Sequence, residues 1–156
     1  MHAFRRRSKT PPLIALDEWP EDSGRPRVLV EDPDGAVLWA YTRILDEAGY
    51  DVVGCQGPTG AAGGGLARRC CPLLIGEPCP LVAGADVVVS TTSLTDGAEI
   101  LEAVAQYEAP LVVSGPERTV EIRTRSMRSV TPLPYPVTRN KLVDAVAAAL
   151  EQPAVT

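Results

Sequence analysis

A chain of 156 residues with 45% hydrophobic content is long enough to bury a single core, and with only 4% aromatic residues that core must be built from Val, Leu, Ile and Ala. Lys and Arg number 15 against 20 Asp and Glu, a net charge of -5, which argues against nucleic acid as a partner because phosphate neutralisation needs a clustered positive surface. No apolar run approaches the roughly 20 residues that span a bilayer, and Arg5-Arg6-Arg7 is not followed by the apolar stretch of a secretory signal; no membrane contact and a cytoplasmic location are the expectation.

Residues 1–25 join a basic block, Pro11-Pro12 and the acidic run Asp17-Glu18-Trp19-Pro20-Glu21-Asp22. This composition predicts a flexible arm, with Leu13, Ile14, Leu16 and Trp19 able to dock on the body or on a partner. A single domain is expected over 26–152.

Arg27-Val28-Leu29-Val30 reads as the first strand, ending in Glu31-Asp32-Pro33-Asp34-Gly35. Val37, Leu38, Tyr41, Ile44, Leu45 and Ala48 then recur at the three-and-four spacing of an amphipathic helix that Gly49 can close. Tyr50-Asp51-Val52-Val53 is the second strand, and the three pieces make a βαβ unit. The rhythm breaks over 54–84, where glycines and the Cys-Pro pairs Cys71-Pro72 and Cys79-Pro80 stand in place of a second long helix.

Regularity resumes at Val87-Val88-Val89, a strand apolar on both faces that empties into the hydroxyl run Ser90-Thr91-Thr92-Ser93. Asp96, with Glu99 three residues on, can cap a helix bearing Ile100, Leu101, Val104 and Ala105. Leu111-Val112-Val113 is the fourth strand, closing at Ser114. Residues 117–127 are weakly patterned, a poor helix or an exposed loop, and Val130 to Leu133 forms the fifth strand. A last helix opens at Thr138-Arg139 and turns Leu142, Val143, Val146, Ala147 and Leu150 to the core. Five strands alternating with four or five helices predict a doubly wound α/β fold, whose ligands gather at the carboxyl ends of the strands.

Three sets of side chains could carry chemistry. Glu31, Asp32 and Asp34 cluster at the end of the first strand and suit a hard divalent cation, although Asp34 equally suits a helix N-terminus. Cys55, Cys70, Cys71 and Cys79 are confined to one connecting segment and lack paired Cys-x-x-Cys knuckles. They read as structural thiols, as a reversible bridge from Cys79 to Cys70 or Cys71 near Arg68 and Arg69, or as a metal set. The glycine run fits neither a dinucleotide fingerprint nor a P-loop. The single histidine, His2, is terminal and completes no hydrolase triad. Arg118, Arg123, Arg125 and Arg128, interleaved with Glu117 and Glu121, make a charged face able to meet a partner.

Over residues 27–150 the order of motifs resembles the receiver domain of two-component response regulators. Val28-Leu29-Val30-Glu31-Asp32-Pro33-Asp34 is similar to the acidic first-strand signature, with Glu31-Asp32 or Asp32 and Asp34 as its acidic pair. Ile44-Leu45-Asp46-Glu47-Ala48-Gly49-Tyr50-Asp51-Val52 is similar to the end of the first helix and the second strand of receivers. Ala85-Asp86-Val87-Val88-Val89 and Asp96-Gly97 resemble the surroundings of the phospho-accepting aspartate, Leu111-Val112-Val113-Ser114 the fourth strand with its switch hydroxyl, and Tyr135-Pro136-Val137 stands where receivers carry Lys-Pro-Phe. The resemblance implies a flavodoxin-like parallel sheet in the order 2-1-3-4-5.

It also implies a degenerate site. The acceptor position falls on Ser90 or Thr91, and Tyr135 replaces the lysine that pairs with the acyl phosphate. The expectation is a stand-alone, non-enzymatic signalling or protein-interaction module. It would work without aspartyl phosphorylation and without a cofactor, and would meet a protein partner or form a homodimer through residues 114–135. The alternative is a cysteine-based redox or metal sensor using the 70–79 segment. Phosphorylation of the 90–93 hydroxyls by a kinase stays open.

Overall fold

The computed structural model describes residues 18–57, 71–91, 104–125 and 129–152. Five strands, β1 (Arg27–Glu31), β2 (Asp51–Cys55), β3 (Val87–Ser90), β4 (Leu111–Gly115) and β5 (Val130–Pro134), form one sheet in the order β2-β1-β3-β4-β5. Every neighbouring pair is parallel. This is the doubly wound sheet and strand order expected.

Period-two alternation explains why both faces are apolar. Val28, Val30, Val87, Val89 and Val112 point to one side, into a cluster with Leu38, Tyr41 and Leu45 of α1 (Gly35–Glu47) and Leu142, Ala145, Val146 and Ala149 of the last helix, α4 (Arg139–Leu150). Leu29, Val53, Val88, Leu111 and Val113 point to the other side. They meet Leu81 and Val82 of the four-residue helix α2 (Pro80–Ala83), Val104, and Val120 of α3 (Glu117–Thr124).

Local chemistry sets the element ends. The Asp34 carboxylate accepts from the amides of Ala36 and Val37 and so starts α1. Ala48 caps that helix at its other end, and Gly49 beyond it takes the left-handed conformation at φ 100°. Thr138 starts α4 by accepting from the Lys141 amide. The last helix buries Ala145 and Ala149 where Val143 and Ala147 were expected, and these two are only half-buried.

Two elements run longer or firmer than the sequence implied. β2 continues through Gly54 to Cys55, because Gly54 leaves room for Leu38 and Thr42, each within 3.1 Å of where its Cβ would sit. Residues 117–124 form a helix, with Val120 its buried contact to the sheet. Between β2 and β3 the described residues hold a short 3-10 turn, Pro72–Ile75, and then α2. Asp96, Gly97, Glu99, Ile100, Leu101 and the glycines at 60 and 63–65 lie outside the described residues.

Candidate functional site at the carboxyl edge of the sheet

The parallel register lines up Cys55, Glu31 and Ser90 as a row across the carboxyl ends of β2, β1 and β3. Each occupies the position on its strand that faces the second apolar cluster, two residues after Val53, Leu29 and Val88. Glu31 is 1% exposed and Ser90 fully enclosed. Burial on this scale obliges polar groups to find partners, and the Ser90 hydroxyl donates to Glu31 Oε2 at 2.8 Å. On its other side the Glu31 carboxylate lies against Gly57: a Cβ there would stand 2.4 Å from Oε1. Gly57 also holds φ at +70°, a conformation that side-chain-bearing residues rarely adopt.

Asp32 turns to a different set of partners. Its Oδ1 accepts from the Asp34 amide at 2.6 Å, its Oδ2 accepts from the Thr91 hydroxyl, and its own amide donates to the Cys55 carbonyl at 3.0 Å. Thr91 also donates from its amide to the Glu31 carbonyl at 3.1 Å. Burial pushes the Asp32 carboxyl above its ordinary range, against the lowering effect of the Thr91 and Asp34 hydrogen bonds. Ser90 therefore ends β3 beside Glu31, and Thr91, one residue on, belongs to Asp32. Of the three carboxylates, Glu31 and Asp32 face the strand ends and Asp34 is spent on capping α1.

A second polar contact lies under the β4 end. The Tyr41 hydroxyl, brought by α1, is 3.2 Å from Ser114 Oγ, and both residues are buried. Burial raises the Tyr41 phenol, and the charges of Tyr135 and Asp32 add to the rise. Tyr135 follows β5, is half exposed, and is fixed by donating its amide to the Gly115 carbonyl at 2.8 Å. Its phenol too is raised, by burial and then by the Asp32 charge. Tyr41 carried no functional weight in the sequence. The only signal it offered was a hydroxyl on the apolar face of a helix, which must find a partner inside.

The thiols sit beside this edge. Cys79, 7% exposed, lies in the second apolar cluster, and Cys55 packs against that cluster. Burial pushes the Cys55 thiol up to about 12, and negative charge at Cys71, Glu31 and Cys79 acts in the same direction. That is opposite to what makes a cysteine a ready nucleophile. Cys71 is half-buried ahead of the 3-10 turn, and Cys70, Arg68 and Arg69 lie outside the described residues. Among the described residues no three His, Cys, Asp or Glu side chains converge as metal ligands, and no helix is long and apolar enough to cross a membrane.

No protein-family model matches the chain, and no curated protein matches it by sequence. Solved structures do. A response regulator receiver domain from Clostridium thermocellum superposes with a TM-score of 0.58 at 19% identity, over 80% of this chain and 94% of that one. The chemotaxis protein CheY4 of Vibrio cholerae gives 0.56 at 20% identity over 80% and 98%. A response regulator receiver protein from Sinorhizobium medicae gives 0.56 at 18% identity over 83% and 97%. The fold is that of a receiver domain. On this receiver fold the carboxyl edge bears Glu31 and Asp32 from β1, Ser90 and Thr91 from β3, Ser114 from β4 and Tyr135 after β5.

Proposed function

We propose that this receiver-fold protein is a non-enzymatic signalling module that binds a protein partner without being phosphorylated on aspartate. One observation carries the reading: the end of β3, where a receiver would present its phospho-accepting aspartate, bears the hydroxyls of Ser90, beside Glu31, and Thr91, beside Asp32, and no carboxylate. Aspartyl phosphorylation needs a carboxylate nucleophile, a divalent cation to neutralise charge and a lysine to pair with the acyl phosphate. Ser90 or Thr91 replaces the first and Tyr135 the last. The Ser90 hydroxyl is enclosed and committed to Glu31 Oε2, which also speaks against its use as a nucleophile on an outside substrate. The Tyr41–Ser114 contact supports a single resting arrangement of the β4 end, since the hydroxyl that a receiver would turn towards a phosphoryl group already has a partner.

The partner face in this reading runs from β4 through α3 to Tyr135. It carries the two exposed apolar side chains Ile122 and Tyr135, at 53% and 49% exposure, beside Glu121 and Arg125. Incubation with acetyl phosphate and Mg2+ followed by intact-mass measurement tests the proposal. The expected spectrum is unchanged, and a hydroxylamine-labile phosphoryl adduct would overturn it.

The thiol reading rests on a separate observation: Cys55 packs against the apolar cluster in which Cys79 is buried. It predicts that peroxide removes two hydrogens from the chain to close a disulfide at Cys79, being itself reduced to water. Four unmodified thiols after such treatment would sink that reading and leave the first untouched.

A further inference from the structure

Residues 18–25 are laid along the amino-terminal edge of the sheet, opposite the site just described. The Trp19 indole N–H donates to the Leu81 carbonyl of α2 at 2.9 Å, and its ring packs against the second apolar cluster. The ring sits so close to Gly84 that a Cβ there would fall 2.5 Å from Cδ1 and 2.8 Å from Nε1. Arg27, the first residue of β1, places its guanidinium 5.6 Å from the ring centroid and donates to the Pro20 carbonyl at 3.3 Å. On either side of a left-handed turn at Gly24, Ser23 and Arg25 both bond the Asp51 carboxylate at the start of β2.

Among the described residues this attachment has one apolar anchor, Trp19. The remaining contacts are polar, exposed at Ser23 and Pro20 and part-buried at the Arg25–Asp51 pair, and such surface bonds contribute little to stability. What the anchor holds is equally slight: α2 has four residues, far below the length at which a helix supports itself. Leu81, Val82 and Cys79 are nevertheless buried, at 5%, 0% and 7% exposure, so something must keep α2 seated on the sheet. Trp19 bonds the carbonyl at its centre and fills the space over its last turn.

We propose that residues 18–25 are a strap latched by Trp19, and that releasing the latch unseats α2 and opens this face of the sheet while the five strands stay folded. The inference does not depend on how the opposite, carboxyl edge is used. Opening of this kind is a local transition with a free energy below that of global unfolding.

Two variants of the full chain test it by different routes. Trp19→Ala removes the latch. Gly84→Ala leaves Trp19 intact and evicts its ring; φ -96° is open to alanine, and the Pro80 carbonyl, 3.3 Å from the new Cβ, has far less to yield than the ring at 2.5 Å. In both, amide hydrogen exchange over 79–85 should accelerate by roughly tenfold or more while exchange in β1 and β4 keeps its wild-type rate. Iodoacetamide labelling of Cys79 should rise in parallel. In a Trp39→Phe background, which leaves Trp19 as the single tryptophan of the two in the chain, Gly84→Ala should shift the emission to the red. Unchanged exchange over 79–85 in both variants would overturn the proposal. So would equal acceleration in β1, β4 and α2, which would make Trp19 a contributor to global stability and no latch.

Discussion

At the scale of single residues, one tightly constrained position among the described residues bears no side chain. Gly57 meets two conditions at once, a φ of +70° and a Glu31 carboxylate oxygen 2.4 Å from where a Cβ would be. A flexible carboxylate could swing away, but Glu31 is buried and held by Ser90, so moving it breaks a hydrogen bond. Gly57→Ala should therefore cost about 2 kcal/mol or more, combining left-handed strain with the displaced acid, read as a lower urea midpoint. Asp32 offers a test with a sign. Burial raises its carboxyl above the 3.8 of an unperturbed side chain, so the folded chain holds this proton to a higher pH than the unfolded one. The stability this group contributes is complete below the unfolded value and is lost as pH rises through the folded one. Asp32→Asn abolishes that loss, so the variant should gain on the wild type as pH climbs above the unfolded 3.8 and through the raised folded value. Denaturation midpoints of both proteins across that range check it; a flat or opposite trend would contradict the burial argument.

At the scale of elements, α1 ties the acidic turn to the rest of the molecule at both ends of its polar chemistry. Its start depends on Asp34, whose carboxylate serves two amides. Asp34→Ala should cost about 1 kcal/mol as a lost cap, and added Mg2+ should not change that cost if capping is all that Asp34 does. Two turns later Tyr41 reaches Ser114. Tyr41→Phe keeps the ring in the first cluster but leaves the buried Ser114 hydroxyl without this bond, for a loss of about 1 kcal/mol at unchanged fold, measurable by thermal melting. These two residues also mark what could be read in advance. The Asp34-Gly35 start and the apolar stripe of α1 follow from spacing within a dozen residues, and Asp34 as a cap was one of two readings already open. Tyr41's contact joins positions 73 residues apart, and nothing in a helical stripe says which strand end its hydroxyl will meet. The same holds for Glu31 and Ser90, 59 residues apart. Their neighbourhood follows from strand order, but their hydrogen bond follows from register, and runs of valine such as Val87-Val88-Val89 pair almost equally well when slipped.

For the whole molecule, the question is whether the receiver fold keeps a latent phosphorylation site that one residue would restore. The geometry says that Ser90→Asp alone should not restore it. A carboxylate at 90 would stand where the Ser90 hydroxyl now donates to Glu31 Oε2 at 2.8 Å, so a donor–acceptor pair becomes two acceptors, both buried. Two like charges at that distance without solvent cannot both ionise cheaply. At neutral pH the variant should lose about 3 kcal/mol or more. The loss should shrink on acidification as one of the pair takes a proton. Mg2+ should return part of it, because a hard cation between Glu31 and the new aspartate is the arrangement those charges lack. The wild type, with a hydroxyl in the row, should melt at the same temperature with or without Mg2+. Acetyl phosphate should still leave Ser90→Asp unmodified, since Tyr135 brings no positive charge to the acyl phosphate. A hydroxylamine-labile phosphoryl group should appear only where the new aspartate stands at the half-buried Thr91, beside Asp32, and is paired with Tyr135→Lys. If the single variant is phosphorylated, the residue after β5 is not what withholds the chemistry, and Ser90 alone separates this chain from a working receiver.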